Sequence, residues 1–149
     1  MNKEFIPYEQ ALELKELGFD EPCLGFYDGK ESTQLYFNNK RDASGDFIPF
    51  VKSERLTWFG TPTFSQAFRW FREKHGLRNS ITDFIDDETG IEWDYEIAII
   101  GTDLDERGNY KPLVDYSTDD ETRKFKTYEE AELACLQKLI EIVKNQNNG

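Results

Sequence analysis

Apolar residues recur along the chain with two different periods, and the places where the period changes mark off the elements. In "PYEQALELKELG", Ala11, Leu14 and Leu17 share one face at helical spacing. Pro7 suits a first helical position and Gly18 the left-handed residue that ends a helix. "CLGFYDGKESTQLYF" predicts a hairpin, with residues 23–27 and 33–37 as strands about the turn-forming "DGKES". In "TPTFSQAFRWFREKHG", Thr61 or Thr63 can cap a second helix. Phe64, Ala67, Phe68 and Phe71 then recur at i, i+3, i+4 and i+7, and Gly76 closes the helix.

Period two takes over in "SITDFID", "EWDYEIAIIG" and "YKPLVDY", which predict three antiparallel strands joined by "DETG" and "DLDERGN". Alternation in the second of these sends Trp93, Tyr95, Ile97 and Ile99 to a core face and Glu92, Asp94 and Glu96 to a wet one. "TYEEAELACLQKLIEIVK" predicts a closing amphipathic helix, with a capping-box pattern at Thr127 and Glu130 and a stripe of Ala131, Cys135, Leu139 and Ile142. With no β-α-β run, the expected fold is α+β. It is a single two-layer domain over residues 1–145, an antiparallel sheet of about five strands with three helices on its apolar face. Residues 146–149, at the end of "KNQNNG", are expected to be a disordered tail. The long polar stretch from Asn38 to Phe50 is a secondary candidate for a binding element.

Composition changes this picture mainly through charge. The 149 residues are only 38% hydrophobic, but 12 Phe, 7 Tyr and 3 Trp supply enough buried area for one domain. The net charge is −12, and it arises entirely between Asp83 and Glu121, where fourteen acids face only Arg107 and Lys111. Such a field disfavours nucleic acid on that face and favours cations or a basic protein surface. The plainer reading is a solvated surface that confers solubility. Cys23 and Cys135 lack metal-ligand spacing, and Cys135 lies where core packing is expected. "MNKEFIPYEQ" has no apolar leader run and the chain has no 18-residue apolar stretch. A soluble, reduced, cytoplasmic protein that does not engage membranes is expected.

Candidate chemistry narrows further. "DLDERG" opens like a calcium loop with Asp103, Asp105 and Gly108, yet Arg107 and Val114 stand where ligands are required. "GTPTFSQ" lacks the lysine and second glycine of a phosphate loop. His75, the only histidine, falls in the last turn of the second helix, where a structural role near free carbonyls is expected. Trp70 lies off the centre of the apolar stripe, as a flanking and partly exposed aromatic for which packing at the edge of the core is expected ahead of an aromatic contact patch. Asp83, Asp86, Asp87, Asp94 and Glu96 supply carboxylates from which a metal-dependent hydrolase or nuclease would draw.

"TPTFSQAFRWFREKHGL", "WDYEI" and "TYEEAELACLQKLIEIVKN" together resemble short uncharacterised proteins of phages and mobile elements from Bacteroidetes-type bacteria. The resemblance implies a phage or prophage setting and carries no catalytic residues. The expected function is therefore a non-enzymatic accessory protein, without cofactor or metal, that binds a host or phage protein through an acidic surface. Its candidate contact residues are Glu92, Asp94, Glu96, Asp86, Asp87 and Trp70. A carboxylate-based hydrolase or nuclease is the alternative.

Overall fold

The first helix, α1 (Tyr8–Glu16), starts one residue after Pro7, whose extended ψ of 157° places it at the cap rather than in the first turn. Gly18 ends it with φ at 94°. Its N–H donates to the Lys15 carbonyl and that of Phe19 to the Leu14 carbonyl, the paired closure that needs a left-handed residue. The computed structural model describes residues 2–29, 34–37, 40–48, 57–115 and 124–149. These carry β1 (Gly25–Tyr27), β2 (Tyr36–Phe37), β3 (Phe59–Thr61), α2 (Phe64–His75), β4 (Leu77–Asp86), β5 (Gly90–Leu104), β6 (Tyr110–Asp115) and α3 (Tyr128–Asn147).

The architecture is α+β, but the strands form two antiparallel sheets of three, ordered β2-β1-β3 and β4-β5-β6, in place of the expected single sheet of about five. The difference lies in β3. It is three residues long with Gly60 at its centre, so it offers no alternation to read. It nevertheless pairs with β1, Gly25 opposite Thr61 and Tyr27 opposite Phe59, and completes a sheet of its own. The chain accordingly divides into two compact units, residues 1–67 and 68–149. Most of the turn expected at "DGKES" lies outside the described residues, as do Asn38, Asn39, Pro49 and Phe50 of the polar stretch.

In the first unit α1 packs on β3, with Ala11 and Leu14 buried. Thr61 is a strand residue whose hydroxyl donates to the Ile6 carbonyl at 2.8 Å; Thr63 caps α2, accepting from the Gln66 N–H. Along α2 itself the buried residues are Phe64, Ala67, Trp70 and Phe71, while Phe68 is only half-buried. The stripe is thus rotated from the expected one towards Trp70.

In the second unit β4 and β5 form a long hairpin with continuous pairing from Leu77 opposite Ile99 to Asp86 opposite Gly90. Partners across an antiparallel pair share a face. Leu77, Tyr95 and Ile97 are buried on one face, against α3. The whole expected α3 stripe, Ala131, Cys135, Leu139 and Ile142, is buried, and Leu136, Ile140 and Val143 widen it. Thr127 caps α3 through Glu130 N–H, and Glu130 reaches back to the Lys126 N–H at 3.1 Å, one residue earlier than the standard box. The helix runs through Asn147 into the polar tail, with Asn148 as its C-cap.

Candidate functional site

Of the acidic residues singled out from the sequence, Asp86, Asp87 and Glu92 lie at the turn end of the β4–β5 hairpin, and the turn explains the first of them. Asp86 Oδ1 accepts the backbone N–H groups of Glu88 at 2.9 Å and Thr89 at 3.0 Å. These donors hold its carboxyl down at about 2, because hydrogen bonds to the charged form favour ionisation. Glu92 faces the same side of the sheet, opposite Phe84. Its Oε1 accepts from the Thr89 hydroxyl at 2.6 Å.

Two lysines then come from far along the chain. Phe125 bridges to Trp93, each N–H donating to the other's carbonyl at 2.9 Å. In extended backbone the neighbours of a core-facing residue point the opposite way, so Lys124 and Lys126 both meet the acidic face. Lys124 Nζ lies 3.4 Å from Asp86 and 3.7 Å from Glu92, and 5.6 Å from the centre of the Phe84 ring. Lys126 Nζ is 3.5 Å from Glu92 Oε1. The Thr89 hydroxyl, with help from Lys124 and Lys126, keeps the Glu92 carboxyl below its ordinary range.

This corrects the expectation that Glu92 is wet: it is 3% exposed, and its Oε2 accepts no hydrogen bond among the described residues. Of its expected companions, Asp94 is half-buried and accepts its neighbour Tyr95's N–H, while Glu96 is exposed. Asp87 is exposed in the turn beside Glu88. Asp83 stands opposite Trp93, on the other face from Asp94 and Glu96, so the carboxylates of the hydrolase reading do not share a side. Among the described residues no group of three or more His, Cys, Asp or Glu is placed to hold a metal ion.

Trp70 is a second correction. It is 3% exposed and packs edge-on against Phe71 and His75, at 5.0 and 4.8 Å between ring centres, so it belongs to the core and not to a contact surface. A residue six positions on from Phe64 lies about 120° away by helical rotation, and a broad core still includes it. His75 packs against both rings, with Nε2 buried and without a hydrogen-bond partner among the described residues. Burial lowers its pKa, which favours the neutral imidazole over the cation.

The calcium-like segment is a turn of the same kind as that at Asp86. Asp105 Oδ1 accepts the N–H groups of Arg107 and Asn109, and these donors, Asn109 foremost, lower its pKa. Asp42 Oδ1 accepts the N–H groups of Ser44 and Asp46 within the polar stretch, where Arg41 lies 4.0 Å over the Phe47 ring. No family model, curated protein or solved structure matches the chain. Among the described residues no helix is long and apolar enough to cross a membrane.

Sequence reading missed Lys124, Lys126 and Thr89. The trace of the first two was "KFK": a Lys-aromatic-Lys triplet puts both cations on one side of an extended backbone. The lysines lie just past Glu121, where the acidic segment ends, so a count along the chain separates charges that the fold brings together.

Proposed function

We propose that the chain is a protein-binding module that meets a basic partner surface with the exposed carboxylates at the turn end of the β4–β5 hairpin: Asp83, Asp87 and Glu88. The observation that carries this reading is the sorting of the acids. Asp86 and Asp105 spend their carboxylates on backbone N–H groups, and Glu92 is covered by Thr89 and two lysines. Asp83, Asp87 and Glu88, at the turn end of the hairpin, are exposed instead. A concentrated field of one sign steers a partner of opposite charge and raises its association rate, with an attraction that salt screens. In the phage or mobile-element setting expected from the sequence, this would be an accessory role in the cytoplasm of a bacterial host.

The test compares wild type with the variant Asp83→Asn/Asp87→Asn/Glu88→Gln. Glu92 is left intact because it serves the fold. After equal melting curves are confirmed, each is used to capture proteins from bacterial lysate at low and high salt. The expected result is a basic partner retained by wild type at low salt and lost both in the variant and at high salt. Identical partner sets in all arms would leave the acids as a solubilising surface.

A further inference from the structure

The face of the β4–β5 hairpin that packs on α3 is longer than the helix that covers it. Tyr128, the first residue of α3, meets Trp93 edge-on at 5.3 Å, while further along the helix Cys135 is hydrogen-bonded to Asn79. Asn79 pairs with Ile97 and Asp83 with Trp93, so α3 runs from the Trp93 level away from the turn. The next pair on this face towards the turn is Ile85 opposite Ile91. At roughly 3.4 Å per residue it lies about 7 Å beyond Trp93, past the start of the helix. Ile85 is 81% exposed and Ile91 58%, and Tyr128 beside Trp93 is 42% exposed.

Four apolar side chains thus make a small shelf at the tip of the hairpin, and the described residues around it on this face are acidic. Asp83 precedes Ile85 by two residues on the same face, Asp87 and Glu88 follow in the turn, and Glu129 adjoins Tyr128; all four are exposed. Lys124 and Lys126, the described cations at this end, are turned to the opposite face by their contacts with Asp86 and Glu92. An apolar surface in an acidic rim repels another copy of itself and matches a segment that carries apolar and cationic side chains together.

We infer that the Ile85/Ile91 shelf is the docking point for a basic segment of a partner protein, which seats an apolar side chain on the two isoleucines and extends Lys or Arg towards Asp83, Asp87 and Glu88. This rests on the acidic-surface reading and adds to it a location and an apolar anchor. The shelf is small, so the contact is of the transient class, with the anchor giving specificity and the rim giving speed.

The probes are a short Lys/Leu peptide and a Lys/Ser peptide of equal length and charge, each titrated into the isotopically labelled full chain. The Lys/Leu peptide should bind more tightly, by about tenfold, and shift the amides of Ile85, Ile91 and Trp93. That preference should vanish in Ile85→Ser/Ile91→Ser. Ile85→Thr/Ile91→Thr, which keeps β-branching on the strands, serves as a second variant if the first melts early. Equal, salt-sensitive binding of both peptides would overturn the shelf while leaving the acidic surface standing. Binding of neither would remove both, and tight binding with shifts elsewhere or unchanged in the variants would also overturn the shelf.

Discussion

Glu92 Oε2 lies 3.7 Å from Lys124 Nζ, so a carboxylate from within the acidic segment meets a cation from just beyond it. Together with Asp86 and Lys126, this pair ties the turn of the β4–β5 hairpin to the stretch that leads into α3. The acidic face is therefore partly neutralised from within, and its charge contributes to the fold as well as to the surface.

The turn should make stability depend on acid. The folded pKa of Asp86 is about 2, below the ordinary carboxylate value near 4. Its contribution is therefore present above about pH 4 and lost as pH falls through about 2. The melting temperature of Asp86→Asn should lie below wild type at neutral pH, and the gap should close as both are titrated towards pH 2. A gap of constant size over that range would mean the carboxylate's charge does not stabilise the turn.

The two phenylalanines of α2 should differ sharply. Phe71 is fully buried, so Phe71→Ala removes a ring from a packed core and should cost about 3–5 kcal/mol in denaturant titration. Phe68 is half-buried, and Phe68→Ala should cost clearly less, about 1–2 kcal/mol. The reverse order would place the helix stripe where the sequence first put it.

Gly29 should tolerate no side chain. Its φ is 69°, and a Cβ there would collide with the Thr57 carbonyl. Gly18 shares the left-handed backbone at 94°, but a Cβ there meets nothing within 4 Å. Gly18→Ala should cost about 1 kcal/mol from conformation alone. Gly29→Ala should exceed it by at least about 1 kcal/mol, as measured by urea unfolding, because backbone must also move.

Both thiols should be silent in the native protein. Cys23 and Cys135 are buried, and burial foremost pushes each up to about 12, so almost no thiolate exists at neutral pH. A thiol reagent at pH 8 should label neither until denaturant is added. Rapid labelling of Cys135 in the native state would show that α3 opens away from the sheet.

The sequence was most legible where one period ran long. α3 and the three strands β4–β6 were found because apolar residues repeat over whole elements, and the turn at "DETG" fixes Ile85 opposite Ile91. β3 was missed because three residues with a central glycine carry no period. The burial of Glu92 was not readable from β5, since alternation assigns a face without saying what covers it. What covers it lies more than thirty residues on, in "KFK". Trp70 reads as flanking and partly exposed because a helical stripe drawn through Phe68 leaves it aside, whereas the core takes it in fully and leaves Phe68 half-buried.

The three-residue turn between Asp86 and Gly90 also bears on the order in which the chain folds. Strands joined so closely lose little entropy on meeting, whereas β1 and β3 must close a loop of more than thirty residues to bring Gly25 opposite Thr61. The β4–β5 hairpin should therefore be protected first in pulsed hydrogen exchange, ahead of the β1–β3 pairing. During that interval Asp86 and Glu92 stand close together before Lys124 and Lys126 have arrived. Salt should then speed the early phase by screening their repulsion and slow the later one, in which the lysines dock.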